Sequence, residues 1–196
     1  MSCWVVHSGI IRAIYNVDNK YLVSGSYDKT IKIWDFKKLV CSKNPNNDSL
    51  IKTLEHHKGP VFCFARYKNL FFSGSKDKRI IVYEMNAAWK VQQIIKKAHS
   101  SWVWSIGVRS SRTIVTTSAD KSVKIWKRKH KKSTHKFAPL QTMLAHKDQV
   151  FCITHINKDK YLTGSFDKTL RIWKKIKIPK EKPKKRDPEK KKKNNK

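Results

Sequence analysis

Acidic residues are scarce in this chain: 14 Asp and Glu stand against 45 Lys and Arg, a formal net charge of +31 over 196 residues. An excess of that size favours polyanion contact and makes such contact salt-dependent. Cysteine is thin as well. Cys3, Cys41, Cys63 and Cys152 form no Cys-x-x-Cys pair and no metal-ligand spacing, so no disulfide framework, metal site or cofactor is expected. Val61-Phe62-Cys63 and Val150-Phe151-Cys152 put two of them at equivalent places, as small apolar fillers of a strand. No apolar run reaches the roughly 18 residues of a membrane span, and Met1 to Val6 lacks the order of a secretory leader. The expected setting is intracellular and reducing, with no membrane partner. A Gly-x-Ser-x-Gly elbow, a Walker loop and a His-Glu-x-x-His helix are all missing, which removes the common catalytic signatures.

Repetition is what the chain does have. Ser24-Gly25-Ser26-Tyr27-Asp28 runs on to Trp34, and Ser73-Gly74-Ser75-Lys76-Asp77 to Tyr83. Thr117-Ser118-Ala119-Asp120 runs to Trp126, and Thr163-Gly164-Ser165-Phe166-Asp167 to Trp173. Each Asp follows a His by 20 or 21 positions: His7, His57, His99 and His146. The length variation falls between each aromatic and the next His, so a fixed block is joined by elastic connections. Inside the block, Thr30-Ile31-Lys32-Ile33-Trp34 and Thr169-Leu170-Arg171-Ile172-Trp173 alternate with period two, the mark of half-buried strands. Four strands per block are expected. In the second block they are Val61 to Tyr67, Leu70 to Ser75, Arg79 to Met85 and Lys90 to Ile95. In the third they are Val103 to Val108, Thr113 to Thr117, Ser122 to Trp126 and Leu140 to Leu144. Short connections such as Lys68-Asn69 and Lys76-Asp77-Lys78 suit hairpin turns.

With His at a fixed distance, Ser-Gly-Ser-x-Asp and Ile-x-Ile-Trp together, residues 1 to about 175 resemble WD40 repeat proteins, which fold as β-propellers. The resemblance implies an all-β chain of four four-stranded antiparallel blades, at about 7–56, 57–98, 99–145 and 146–175. Residues 1–6 would be an outer closing strand and residues 176–196 a disordered Lys-rich tail. It also implies a hydrogen-bonded clamp in each blade, running from His through Asp to a strand Ser or Thr and the Trp N–H. The clamp residues are His7, Asp28 and Trp34; His57, Asp77 and Tyr83; His99, Asp120 and Trp126; and His146, Asp167 and Trp173. Tyr83 has no indole N–H, so the second clamp should be weaker or rerouted. An Asp-His-Ser constellation resembles a hydrolase triad, yet four copies in one chain fit a structural clamp, and no enzyme activity is expected.

Four blades are fewer than the family's usual ring, and an open array leaves two apolar faces in water. Three arrangements answer this: a closed four-bladed monomer, an eight-bladed ring of two chains, or a piece of a larger propeller. The last two are favoured.

In the resembled family, partners meet the top face at residues flanking the start of the inner strand and just before the turn Asp. Carried over, these are Ile10, Arg12 and Tyr27; Pro60, Phe62 and Lys76; Trp102, Trp104 and Ala119; and Gln149, Phe151 and Phe166. Aromatics beside Arg and Lys have the composition of binding hot spots. The expected function is a non-catalytic scaffold or adaptor for a protein or peptide partner. The alternative is a basic nucleic-acid-associated protein of RNA processing or ribosome assembly. There RNA or another polyanion meets Lys182, Lys184, Lys185, Arg186, Lys190, Lys191, Lys192 and Lys193, which also read as a nuclear localisation signal. The nucleus is accordingly favoured over the cytoplasm. The basic run Lys127 to Lys132 reads as a solvated loop, since no aromatic is interleaved with it.

Overall fold

The computed structural model describes residues 5–41, 48–86, 88–128, 136–157 and 160–174. Alternating apolar side chains and short turns build four antiparallel sheets, each in consecutive strand order. The first comprises β1 (Ile11–Val17), β2 (Tyr21–Ser26), β3 (Ile31–Asp35) and β4 (Leu50–Leu54). The second comprises β5 (Val61–Tyr67), β6 (Leu70–Ser75), β7 (Ile80–Glu84) and β8 (Lys90–Ile95). β9 (Val103–Ser110), β10 (Thr113–Ser118), β11 (Val123–Arg128) and β12 (Phe137–Met143) form the third. β13 (Val150–Asn157), β14 (Lys160–Ser165) and β15 (Leu170–Lys174) form the fourth.

The innermost strands pack in chain order, β1 against β5, β5 against β9 and β9 against β13, so the core lies in three seams. Val23, Ile33, Val61 and Phe71 fill the first seam. Phe72, Val82, Val103 and Ile114 fill the second, and Val115, Val123, Val150 and Tyr161 the third. The seams are tight enough to require glycine. A Cβ on Gly25 would stand 2.6 Å from the Phe64 ring, and one on Gly74 would stand 2.8 Å from Val103 Cγ1 of the next blade.

Several expectations need correction. The third blade's outer strand starts at Phe137 rather than Leu140. The Gln93 side chain of the second blade donates to Phe137 O (2.9 Å) and accepts from Phe137 N (2.7 Å), a cross-blade pairing that extends the strand. A six-residue helix α1 (Phe36–Cys41), absent from the sequence reading, follows β3. Asp35 Oδ1 accepts from Lys38 N at 3.0 Å and so caps its first turn. Among the described residues the fourth sheet has three strands rather than four. The proposed closing strand falls mostly on residues 1–4, outside the described residues, and Val5 and Val6 carry no strand. The Lys-rich tail from 175 onward and residues 129–135 of the basic loop also lie outside them. Among the described residues no sheet pairing joins the fourth blade to the first, and both end faces carry exposed apolar side chains.

Candidate interaction face

Each blade is pinned by the same polar clamp. In the first, His7 Nδ1 lies 2.7 Å from Asp28 Oδ2, His7 Nε2 lies 2.7 Å from Ser24 Oγ, and Trp34 Nε1–H donates to Ser24 Oγ at 2.9 Å. A carboxylate only accepts and the indole only donates. Hydrogen-bond complementarity therefore puts the imidazole proton on Nδ1 and turns the Ser24 hydroxyl hydrogen toward Nε2. His99, Asp120, Thr116 and Trp126 repeat this in the third blade. His146, Asp167, Thr163 and Trp173 do so in the fourth. In the second, His57 meets Asp77 at 2.9 Å and Ser73 at 2.7 Å, but the chain stops at Ser73. Tyr83 Oη is buried without a well-formed hydrogen bond, and burial pushes its hydroxyl well above the usual value, with Ser73 offsetting part of the rise.

Burial alone would raise the Asp28 carboxyl. Hydrogen bonds from the Thr30 hydroxyl and amide, then from His7, outweigh it and hold the group at about 2. The same balance keeps Asp77, Asp120 and Asp167 below the ordinary carboxylate value. Burial lowers His7 and His99, with Asp28 and Asp120 opposing the shift. All four clamp imidazoles have fully buried side chains.

The clamp Asp also shapes the turn that carries the interaction face. Its Oδ1 accepts from the amide two residues on, as from Thr30 and Arg79, an Asx turn. The residue after it adopts the left-handed conformation in every blade: Lys29, Lys78, Lys121 and Lys168, at φ 73°, 69°, 70° and 66°. These four exposed lysines share a rim. Of these only Lys78 falls in a turn expected from the sequence, although Asp-Lys stands in all four repeats.

One backbone hydrogen bond per blade then ties the two parts of the expected top face together. Tyr27 N donates to Ile10 O, Lys76 N to Pro60 O, Ala119 N to Trp102 O and Phe166 N to Gln149 O, at 2.9 to 3.0 Å. Six aromatic rings therefore meet along one rim. Tyr27 approaches Phe62 at 5.8 Å between centroids, and Phe62 stacks on Trp104 at 4.7 Å. Trp102 leans edge-on against Trp104 at 5.4 Å. Trp104 meets Phe151 at 5.0 Å, and Phe151 meets Phe166 at 6.1 Å. Lys76 Nζ sits 4.4 Å over the Trp102 ring. Trp104 Nε1–H donates to Gln149 Oε1 at 3.1 Å.

The ladder thus crosses all four blades. Tyr27, Phe151 and Phe166 are exposed, Trp102 and Trp104 half-buried. Phe62, expected at the surface, is only 5% exposed, because rings from both neighbouring blades cover it. Ile10 and Arg12 are exposed beside the ladder, while Pro60 and Ala119 are half-buried and add no ring. Among the described residues no helix is long and apolar enough to cross a membrane, and no cluster of three or more His, Cys, Asp or Glu could hold a metal. A shallow cleft of about 250 Å³ lies between the first two blades, lined by Val17, Tyr21 and Met85, where Arg66 Nη1 meets Asp18 Oδ1 at 2.6 Å.

The family model described as WD domain, G-beta repeat matches residues 2–35, 48–84, 89–127 and 137–174. A ribosome biogenesis protein WDR12 homolog from Drosophila mojavensis is 27% identical over 86% of the chain and 38% of its own length. A p21-activated protein kinase-interacting protein 1-like protein from Xenopus laevis is 31% identical over 58% of the chain and 29% of its own length. The chain therefore spans well under half of these relatives. Among solved structures, the WD40 beta propeller domain of Doa1 overlays with a TM-score of 0.69 at 22% identity, covering 86% of this chain and 52% of that one. The computationally designed Ika4 protein overlays with a TM-score of 0.67 at 22% identity, covering 86% of this chain and 92% of that one.

Proposed function

Because the chain belongs to the WD40 repeat family, we propose that it is a non-catalytic scaffold whose aromatic rim docks a protein or peptide partner. The observation that carries this reading is the unbroken ladder from Tyr27 to Phe166. Rigid rings lose little entropy on binding, and the terminal rings Tyr27 and Phe166 sit on turns fixed by the clamp Asp residues. The relatives' names support a setting: ribosome biogenesis for several, kinase interaction for another. A setting in ribosome assembly also fits the charge, since a scaffold at net +31 works most readily beside RNA, and it fits a nuclear location.

A photo-crosslinking residue tests the face. Installed at Phe166, it should capture a discrete protein, whereas the same residue at exposed Ile51, on outer strand β4, should capture none. Equal capture at both positions, or capture of RNA alone at Phe166, would overturn the reading.

A further inference from the structure

At its rim the second blade carries more positive charge than the repeat requires. Resting on the reading of that rim as a docking face, we infer that the partner segment is acidic, with its carboxylates seated on Lys58, Lys76 and Lys78 beside Trp102. Three rim positions recur in every blade: the residue after the clamp His, the one before the clamp Asp and the one after it. The last is lysine throughout. After the His, the other blades have Ser8, Ser100 and Lys147; before the Asp, they have Tyr27, Ala119 and Phe166. Only the second blade has lysine at all three.

The backbone does the same work at these positions whatever the side chain. The amides of Ser8, Lys58, Ser100 and Lys147 all donate to their clamp Asp, at 2.8 to 3.2 Å. Because Ser and Ala serve in the equivalent places, the fold does not call for the Lys58 and Lys76 side chains. The second blade packs between the first and the third, so this part of the rim lies inside the arc.

Lys58, Lys76 and Lys78 are exposed, and among the described residues no carboxylate forms an ion pair with any of them. Asp77, on the same turn, is 6% exposed, and its oxygens are already taken by His57, Lys58 N and Arg79 N. Its charge offsets part of theirs without pairing with an ammonium group. Lys76 Nζ is steered by the Trp102 ring 4.4 Å beneath it. A ring face attracts a cation but accepts no full hydrogen bond, so the ammonium keeps donors for an incoming carboxylate.

The rings here favour a peptide over RNA. Stacking a base needs an open aromatic face, and these are occupied. Lys76 lies over Trp102, which leans on Trp104, and Trp104 is itself stacked on Phe62. What the site offers is a cluster of ammonium donors beside half-buried apolar edges, a match for Asp or Glu flanking an apolar residue.

A fluorescent peptide of repeated Glu-Glu-Leu units, compared with its Gln-Gln-Leu counterpart on the intact chain at physiological salt, tests this. The Glu peptide should bind more tightly, and Lys58→Gln/Lys76→Gln should weaken it about five- to tenfold. Lys20→Gln/Lys68→Gln makes the same change in charge at the β1–β2 and β5–β6 hairpins, the opposite end of the strands from the rim, and should leave the affinity within about twofold. Equal weakening by both pairs would mean that only overall charge is read, and would overturn the inference. So would failure of the Glu peptide to bind, or an oligouridylate that depends on Lys58 and Lys76 more than the peptide does. A Gln peptide bound as tightly as the Glu peptide, with both weakened by Trp102→Leu, would overturn the acidic partner while leaving the docking face standing.

Discussion

Phe62 lies nearly parallel to Trp104 across the seam between the second and third blades, with ring centroids 4.7 Å apart and planes 19° from coplanar. That single stack joins the docking rim to the core, so ring removals along the ladder should separate into two classes.

Phe62→Ala removes a buried ring and should cost about 3 kcal/mol or more of unfolding free energy. Phe166→Ala removes a ring that is 66% exposed and should shift stability by less than about 0.5 kcal/mol while weakening partner capture at least about tenfold. Denaturant melts and capture assays on the two variants, side by side, check this.

The clamps predict an asymmetry between blades. Trp126→Phe deletes an N–H that donates to Thr116 at 2.9 Å and should cost about 1–2 kcal/mol. Tyr83→Phe deletes a buried hydroxyl without a well-formed partner and should be neutral or stabilising by about 1 kcal/mol. A substantial loss in the Tyr83 variant would mean that the second clamp does extend through Ser73.

Acid should unfold the chain in two stages. His7 and His99 are held below 6.5 and the clamp carboxyls below 3.8, so at acid pH the unfolded chain binds more protons than the folded one. Their stabilisation is fully present above about pH 6.5. The imidazole share is lost as pH falls below that value. The carboxylate share is lost below about pH 4, down to about 2 for Asp28. Tm measured from pH 8 to 3 should be flat, then fall gently, then steeply. Asp28→Asn should lower the plateau and flatten the steep limb.

The left-handed lysines hold small reserves of strain. Lys78→Gly, at φ 69°, should raise stability by about 0.5–1 kcal/mol, as relief of the Cβ clash outweighs glycine's added chain entropy. A melt that drops instead would mean that the Lys78 side chain is needed at the rim.

The sequence disclosed whatever repeats. His, Asp and the strand aromatic recur at fixed spacing, so the repeat block was legible; the clamp residues followed from laying the family resemblance onto it, and alternation placed β5 to β8 to within a residue at each end. What depends on a neighbouring blade stayed hidden. Phe62 and Phe151 occupy one repeat position, yet Phe62 is roofed by rings on both sides while Phe151 stands exposed on the last blade. Phe137 enters its strand early only because Gln93, 44 residues away, pairs with its backbone. Helix α1, at six residues, is too short to show a helical period, and its cap Asp35 is also the last residue of β3. Leu170 and Ile172 alternate like every buried pair before them, yet both side chains are exposed, which no local pattern announces.

The most direct test of the scaffold reading is affinity capture at physiological salt after nuclease treatment, comparing the unsubstituted chain with Phe151→Ala/Phe166→Ala. The account predicts a defined set of proteins retained through nuclease digestion and lost in the double variant. A set that vanishes with nuclease, or that binds both chains equally, would contradict it and leave the basic surface as the functional part.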